Sequence, residues 1–231
     1  MRQATYAAWL REYRREDRLG ADVRWPRESL VRLLKGGRVP HIRGDALAGL
    51  RVLDVGCGSG ANLRFLASEG MECHGVEPLE EGCARVRRRL DAAGVPARIA
   101  VGNSRDLPYA DGFFDLLVSW QVLHYEADAD GLRAALIEYR RVLRPGGSLL
   151  AAVLGPRHHF LKNCNAQPGQ KSVVNAPLDF HNGLEVFVFK DQAQIRALCE
   201  PLFASVLVGR VQEEYFTSTD DTWIIAAVKG L

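Results

Sequence analysis

The sequence predicts an α/β fold of three layers, a mainly parallel sheet with helices on both faces. Three observations carry this. Short apolar runs alternate with amphipathic stretches from residue 51 to about residue 154, and strands alternating with helices form parallel sheets covered on both sides. Three glycines, Gly56, Gly58 and Gly60, follow the first strand-like run at once, at the end of the sheet where such folds take ligands. The last two apolar runs are joined by a polar link with no helix, so they pair antiparallel and close the sheet as a hairpin.

The elements follow in order. Tyr6, Trp9, Leu10 and Tyr13 recur at i, i+3, i+4 and i+7 with charges between them, the spacing of an amphipathic helix. A second helix starts at Trp25 and Pro26, proline being welcome in a first turn, and runs through RESLVRLLKGG to a glycine stop. RVLDV (51–55) reads as a buried strand and ANLRFLASEG (61–70) as a helix ended by Gly70. ECHGVE (72–77) is a strand, and LEEGCARVRRRLDAAG (79–94) a helix ended by Gly94. ARIAVG (97–102) and FDLLVS (114–119) are strands, DGLRAALIEYRRVLRPGG (130–147) is a helix ended by Pro-Gly-Gly, and SLLAAVL (148–154) is a strand. Residues 155–190 then read as irregular, long enough to be functional. A helix in KDQAQIRALCEPLF (190–203) precedes strands ASVLVGRV (204–211) and TWIIAAV (222–228), linked by QEEYFTSTDD. That makes seven strands.

Composition bounds the function. The 231 residues are 47% hydrophobic and 25% charged, with a net charge of +2, ordinary for a globular protein of one large or two small domains. Residues 1–45 carry eleven Lys/Arg against six Asp/Glu, and the remainder 19 against 22. That asymmetry either favours an anionic substrate or marks the solvated faces of two helices. No basic run with interleaved aromatics argues for nucleic acid. No apolar stretch approaches the roughly 20 residues of a membrane helix, and the N-terminus lacks the pattern of a signal peptide. The five cysteines (57, 73, 83, 164 and 199) form no CxxC pair, which argues against zinc and a disulfide framework. The expected setting is a reducing cytoplasm; the oligomeric state cannot be read.

The stretch LDVGCGSGANL (53–63) holds the three glycines. Each costs about 0.5–1 kcal/mol relative to alanine inside a regular element, so the backbone geometry there matters. Backbone N–H groups and a helix N-terminus can face a ligand at such a turn. The turn alone equally suits a dinucleotide oxidoreductase. Further signals stand at the other strand ends. Glu77 ends the second strand, where a carboxylate can accept from both hydroxyls of a ribose. Asn103 follows the third strand in VGNSRDLPY, where an amide can read an adenine edge. FFDLLVSWQVLHY opens onto the same crevice, and LRPGGSLLAAV leads into the fifth strand.

Over roughly residues 45 to 155 these motifs resemble the class I S-adenosylmethionine-dependent methyltransferases, with their GxGxG … E … LPF … FD … LRPGG pattern. A dehydrogenase explains neither the LRPGG exit nor the closing hairpin. The resemblance implies a three-layer Rossmann-like sheet of order 3-2-1-4-5-7-6, with strand 7 antiparallel. It also implies an N-terminal helical cap (1–45) and a cofactor-binding domain (46–231) with a substrate-binding insert (155–190). By the same resemblance Asp54, Gly56, Cys57 and Gly58 sit beside the methionine part of S-adenosylmethionine. Glu77, with Pro78 next to it, binds the ribose hydroxyls. Asn103, Ser104 and Arg105 frame the adenine; Asn103 stands where many relatives have aspartate and keeps an acceptor. Ser119, Trp120 and Gln121 meet the methionine amino group near the transferred methyl. The product is S-adenosylhomocysteine.

A sulfonium is an activated methyl donor, so catalysis is mainly positioning, with a base needed only when the acceptor holds its proton. SWQV (119–122) replaces the (D/N/S)PP(Y/F/W) motif of base-methylating enzymes. Trp120 and Gln121 stand where catechol-type enzymes hold magnesium, and the paired glutamates of protein arginine methyltransferases are missing. The expectation is metal-independent transfer to a nitrogen or oxygen of a small molecule of natural-product or sugar type. Two alternatives remain: a macromolecule (protein or RNA) docked on the basic N-terminal helices, with steep salt dependence, and a non-catalytic cofactor-binding partner subunit. Substrate contacts are expected from Tyr6, Trp9, Tyr13 and Trp25, whose other reading is packing on the sheet, and from Tyr125, Phe180 and His181. His124, His158 and His159 follow the fourth and fifth strands and are the candidate bases, since histidine titrates nearest neutrality.

Overall fold

The computed structural model describes residues 3–19, 25–126, 128–162, 164, 169, 171–175 and 179–231, so parts of the 155–190 stretch lie outside the described residues. Helices α1 (Gln3–Leu19) and α2 (Glu28–Lys35) precede the sheet. Strands β1 (Arg51–Val55), β2 (Glu72–Glu77), β3 (Ala97–Val101) and β4 (Phe114–Trp120) alternate with α3 (Ala61–Ser68) and α4 (Glu80–Ala92), and α5 (Ala129–Val142) leads into β5 (Leu143–Leu154). After the short strands β6 (Lys171–Val173) and β7 (Glu185–Phe187) come α6 (Gln192–Cys199), β8 (Ser205–Glu214) and β9 (Thr219–Val228). The main sheet runs β3-β2-β1-β4-β5-β9-β8. Its first five strands are parallel, and β9 is antiparallel to both β5 and β8. Counted within this sheet, the order is the expected 3-2-1-4-5-7-6.

The period of two along each strand divides the core. Leu53, Leu117, Leu149 and Ala151 point to one face and pack with Leu136 and Tyr139 of α5 and Ile195 of α6. Val52, Leu116, Leu150 and Ala152 point to the other, against Leu30 and Leu34 of α2, Leu66 of α3 and Leu90 of α4. Strands covered on both faces therefore read as continuous apolar runs. The Asp128 and Asp191 side chains cap α5 and α6, accepting from the backbone N–H of Gly131 and Gln194, each worth about 1 kcal/mol.

Three readings change. LRPGG is not a helix exit: α5 stops at Val142 and β5 starts at Leu143, with the register slipping between Phe114 and Leu116 opposite. Pro145 bars a helix, and the Gly146 N–H donates to the Lys229 carbonyl at 2.9 Å, which draws the segment to the sheet. The closing hairpin is longer than its apolar runs. Its strands extend through Glu214 and from Thr219, and Tyr215 N–H donates to Ser218 O at 2.8 Å across the turn. An edge strand keeps one side in solvent, so the polar run at 212–214 is compatible with pairing. Finally, residues 155–190 are not wholly irregular. They hold a 3₁₀ turn (His159–Leu161) and the antiparallel pair β6–β7. Ala8 of α1 shares a small core with Leu161, Leu184, Val186 and Val188 of this segment.

Candidate active site

A cavity of about 320 Å³ opens at the carboxyl ends of β1, β2 and β4. Its floor is the glycine turn. Gly56 has φ +67°, and a Cβ there would lie 2.7 Å from Val122 Cγ2, whereas a Cβ on Gly58 (φ +57°) would meet little but open space. The first glycine thus admits the chain after β4, and the second leaves backbone bare towards the cavity. The amides of Gly56 and Cys57 donate to Val76 O at 2.9 and 3.2 Å, which anchors the turn on β2.

Glu77 lines this floor and is 3% exposed. One oxygen accepts from Gly58 N–H at 2.6 Å and the other from the Tyr13 hydroxyl at 3.2 Å. Burial pushes its carboxyl up to about 7, against the pull of those two hydrogen bonds and of Arg85. Asp54 lies below at 1% exposure, one carboxylate oxygen lacking a hydrogen-bond partner. Burial and then the charge of Glu77 push it up to about 8, opposed by a hydrogen bond from Asn62. Two buried carboxyls on the neighbouring strands β1 and β2, beside one turn, favour a ligand that brings positive charge and hydroxyl donors.

At the end of β4, Gln121 has φ +58°, the one left-handed residue other than glycine among those described. Such a conformation costs of order 1 kcal/mol and persists only where the surroundings hold it. Here Gln121 N–H donates to Ala152 O at 2.8 Å, and its side-chain oxygen accepts from Arg27 at 3.2 Å. The roof is aromatic. Trp9 lies 4.6 Å from Phe180 and 6.0 Å from Tyr125 by ring centroids, and Phe160 lies 4.1 Å from His181. Arg85, 3% exposed, stacks 4.5 Å over the Tyr13 ring and pairs with Glu16 and with Asp17 at 2.9 Å, which ties α1 to α4. Tyr6 and the largely exposed Trp25 complete the rim.

Of the histidines, His124 and His181 line the cavity. His124 is buried with Nδ1 lacking a hydrogen-bond partner; burial, then His158 and His181, hold its pKa well below the ordinary value. His181 bonds through Nδ1 to Asp179. His158 and His159 face a second cavity of about 380 Å³, beside the hairpin turn at 215–219. His158 Nδ1 accepts from Phe160 N–H at 3.3 Å, and burial pushes its pKa down to about 3. With Asp220 these two histidines form the one group among the described residues whose ligand atoms lie close enough to hold a metal. His159 Nδ1 donates to Thr219 O at 3.1 Å, so the nitrogen nearest Asp220 carries a proton, which suits hydrogen bonding rather than a metal.

Cys57, Pro78 and Trp120 line the main cavity beside Gly56, Gly58, Glu77 and Gln121. Asn103, Ser104, Arg105 and Ser119 do not. Asn103 turns its side-chain oxygen to Arg105 N–H at 3.0 Å, while Ser104 and Ser119 each meet the Tyr139 hydroxyl at 3.1 Å. Phe160, Arg27, Glu16 and Asp179 join the site without a signal in sequence, since each comes from a segment with no motif.

Sheet order, the antiparallel β9 between β5 and β8, and a cavity over the glycine turn define the class: a Rossmann-like methyltransferase fold. Residues 52–147 match the family model described as a methyltransferase domain. A curated relative, the malonyl-[acyl-carrier protein] O-methyltransferase of Halorhodospira halophila, is 34% identical over 135 residues, 57% of this chain and 44% of that protein. The chain spans less than half the length of the curated relatives it matches. Among solved structures, a SAM-dependent methyltransferase of Methanosarcina mazei superposes with a TM-score of 0.66 at 22% identity, covering 79% of this chain and 93% of that one. Magnesium protoporphyrin IX methyltransferase of Synechocystis, solved with bound S-adenosylmethionine, gives 0.59 at 17% identity, covering 88% and 77%. S-adenosylmethionine is the cofactor of this class. The buried carboxyls of Asp54 and Glu77 and the bare backbone at Gly58 fit its positive charge and hydroxyl groups.

Proposed function

We propose that this protein transfers a methyl group from S-adenosylmethionine to an oxygen or nitrogen of a small molecule, without a metal. The observation that carries the reading is the buried carboxyl of Glu77, which ends β2, accepts from the Gly58 N–H of the glycine turn and lines a cavity with an aromatic roof. Glu77 would take the ribose hydroxyls, and Asp54 with the backbone from Gly56 to Gly58 the amino-acid end. Trp120 and Gln121 would border the methyl, Gln121 being held in its left-handed turn by β5. When bound, the cofactor supplies an electrophilic methyl on a sulfonium. The chain itself orients the acceptor and excludes water with Trp9, Tyr125, Phe160 and Phe180, which α1 and the insert bring together. An acceptor that holds its proton would yield it to an imidazole facing the cavity. The name of the O-methyltransferase relative favours oxygen.

Titration calorimetry with S-adenosylmethionine, S-adenosylhomocysteine and NAD tests this, together with mass spectrometry of small hydroxylated and aminated acceptors. Micromolar binding of the first two and a 14-dalton gain (the mass of about one CH2) on an acceptor are expected. Binding of NAD in their place would overturn the reading.

A further inference from the structure

His181 differs from the other histidine of the cavity in one respect: it has an orienting carboxylate. Asp179 accepts from both the His181 backbone N–H, at 2.8 Å, and the ring Nδ1. A carboxylate only accepts, so Nδ1 carries the proton and Nε2 of the neutral ring keeps its lone pair. His181 is 7% exposed and lines the cavity among Phe160, Phe180, Trp9 and Tyr125. His124 has no such partner on Nδ1, so no carboxylate orients its ring from that side. A base held by a third group within a pocket is the arrangement that makes proton removal efficient. The flat rings around it suit a flat apolar acceptor that brings no charge.

Resting on the methyl-transfer reading, we infer that His181, oriented by Asp179, is the general base of the site and that the acceptor is a hydroxyl on an aromatic ring. The acceptor's proton passes to His181 Nε2. The oxygen electron pair forms the bond to the methyl carbon, and the carbon–sulfur pair returns to sulfur, leaving a neutral thioether. Asp179 acts as a positioning residue, fixing the tautomer and stabilising the imidazolium that forms.

The groups facing His181 set its titration. Asp179 and Glu12 of α1 favour the charged ring, and His159 opposes it. His158 and His124 also feel His181. Burial is the largest influence and lowers the pKa below its ordinary value, so the ring is a free base at neutral pH.

Long-range proton–nitrogen NMR of the full chain, alone and with S-adenosylhomocysteine, reads the tautomer without turnover. A protonated Nδ1 and a bare Nε2 are expected at pH 7. Asp179→Asn removes the charge that favours the imidazolium, so the His181 midpoint and the acid limb of kcat both move to lower pH. A merely structural role would move the midpoint but leave the acid limb of kcat in place. With S-adenosylmethionine and catechol, whose hydroxyls hold their protons at neutral pH, His181→Asn should lower kcat roughly a hundred-fold or more and leave S-adenosylhomocysteine affinity within about twofold. A proton on Nε2, or wild-type turnover by His181→Asn, overturns the base. Absence of transfer by the wild type to catechol, 4-methylphenol and 2-naphthol overturns the aromatic hydroxyl. A wild type that binds no S-adenosylhomocysteine overturns the methyl-transfer reading instead, while the spectrum of the unliganded chain still decides the dyad.

Discussion

Glu77→Gln should make the unliganded protein more stable in alkaline buffer while weakening its cofactor. The carboxyl is 3% exposed and pushed up from 4.5 to about 7, chiefly by burial. A carboxyl with a raised folded value favours the protonated form. Stability is then full below pH 4.5 and falls as pH rises through 7. Such a shift corresponds to about 3 kcal/mol when complete. A glutamine carries no charge and avoids that loss, though its buried amide still costs part of the gain. For a chain of this size 1 kcal/mol moves Tm by about 2–4 °C. Scanning calorimetry should therefore show Glu77→Gln melting at least about 3 °C above the wild type at pH 8.5, and close to it at pH 5. Losing the charged acceptor of two hydroxyls should weaken S-adenosylhomocysteine binding by roughly ten- to a hundred-fold. A variant equally destabilised at both pH values, with wild-type cofactor affinity, would refute the reasoning.

Tyr13→Phe removes the hydroxyl that donates to Glu77 at 3.2 Å. It should raise the S-adenosylhomocysteine Kd by about three- to ten-fold with kcat little changed, as calorimetry and steady-state kinetics would report. Asp221 is fully buried in β9 and accepts from Arg210 at 2.6 and 2.7 Å and from the Arg157 N–H at 2.7 Å. Asp221→Ala should cost about 1–3 kcal/mol in urea unfolding, because it leaves the Arg157 N–H without its acceptor and frees the start of the insert from the hairpin.

Much of this architecture was legible before folding. Strands such as RVLDV and ECHGVE fall at their expected bounds because each is a short, mostly buried run that a glycine or proline, Gly56 or Pro78, ends at once. The glycine turn and Glu77 were legible for a related reason: a ligand end needs special backbone angles and a charge at a strand terminus, and both leave marks within a few residues. LRPGG misled because its motif is local while its strand hydrogen bonds come from β4 and β9, one before it and one far after it.

The sequence by itself determined the order of strands and helices, the parallel sheet with its closing hairpin, and the end of the sheet where the cavity opens. These follow from periodicities of two and 3.6, which neighbouring residues set. Only the tertiary structure decided how the cavity is roofed and which histidines face it. Tyr13 reaches Glu77 across 64 positions of sequence, Trp9 meets Phe180 across far more, and His158 turns away to a second cavity although it follows the fifth strand. Those outcomes depend on how α1 and the insert pack together over the strand ends, a contact between surfaces whose pairing no local pattern encodes.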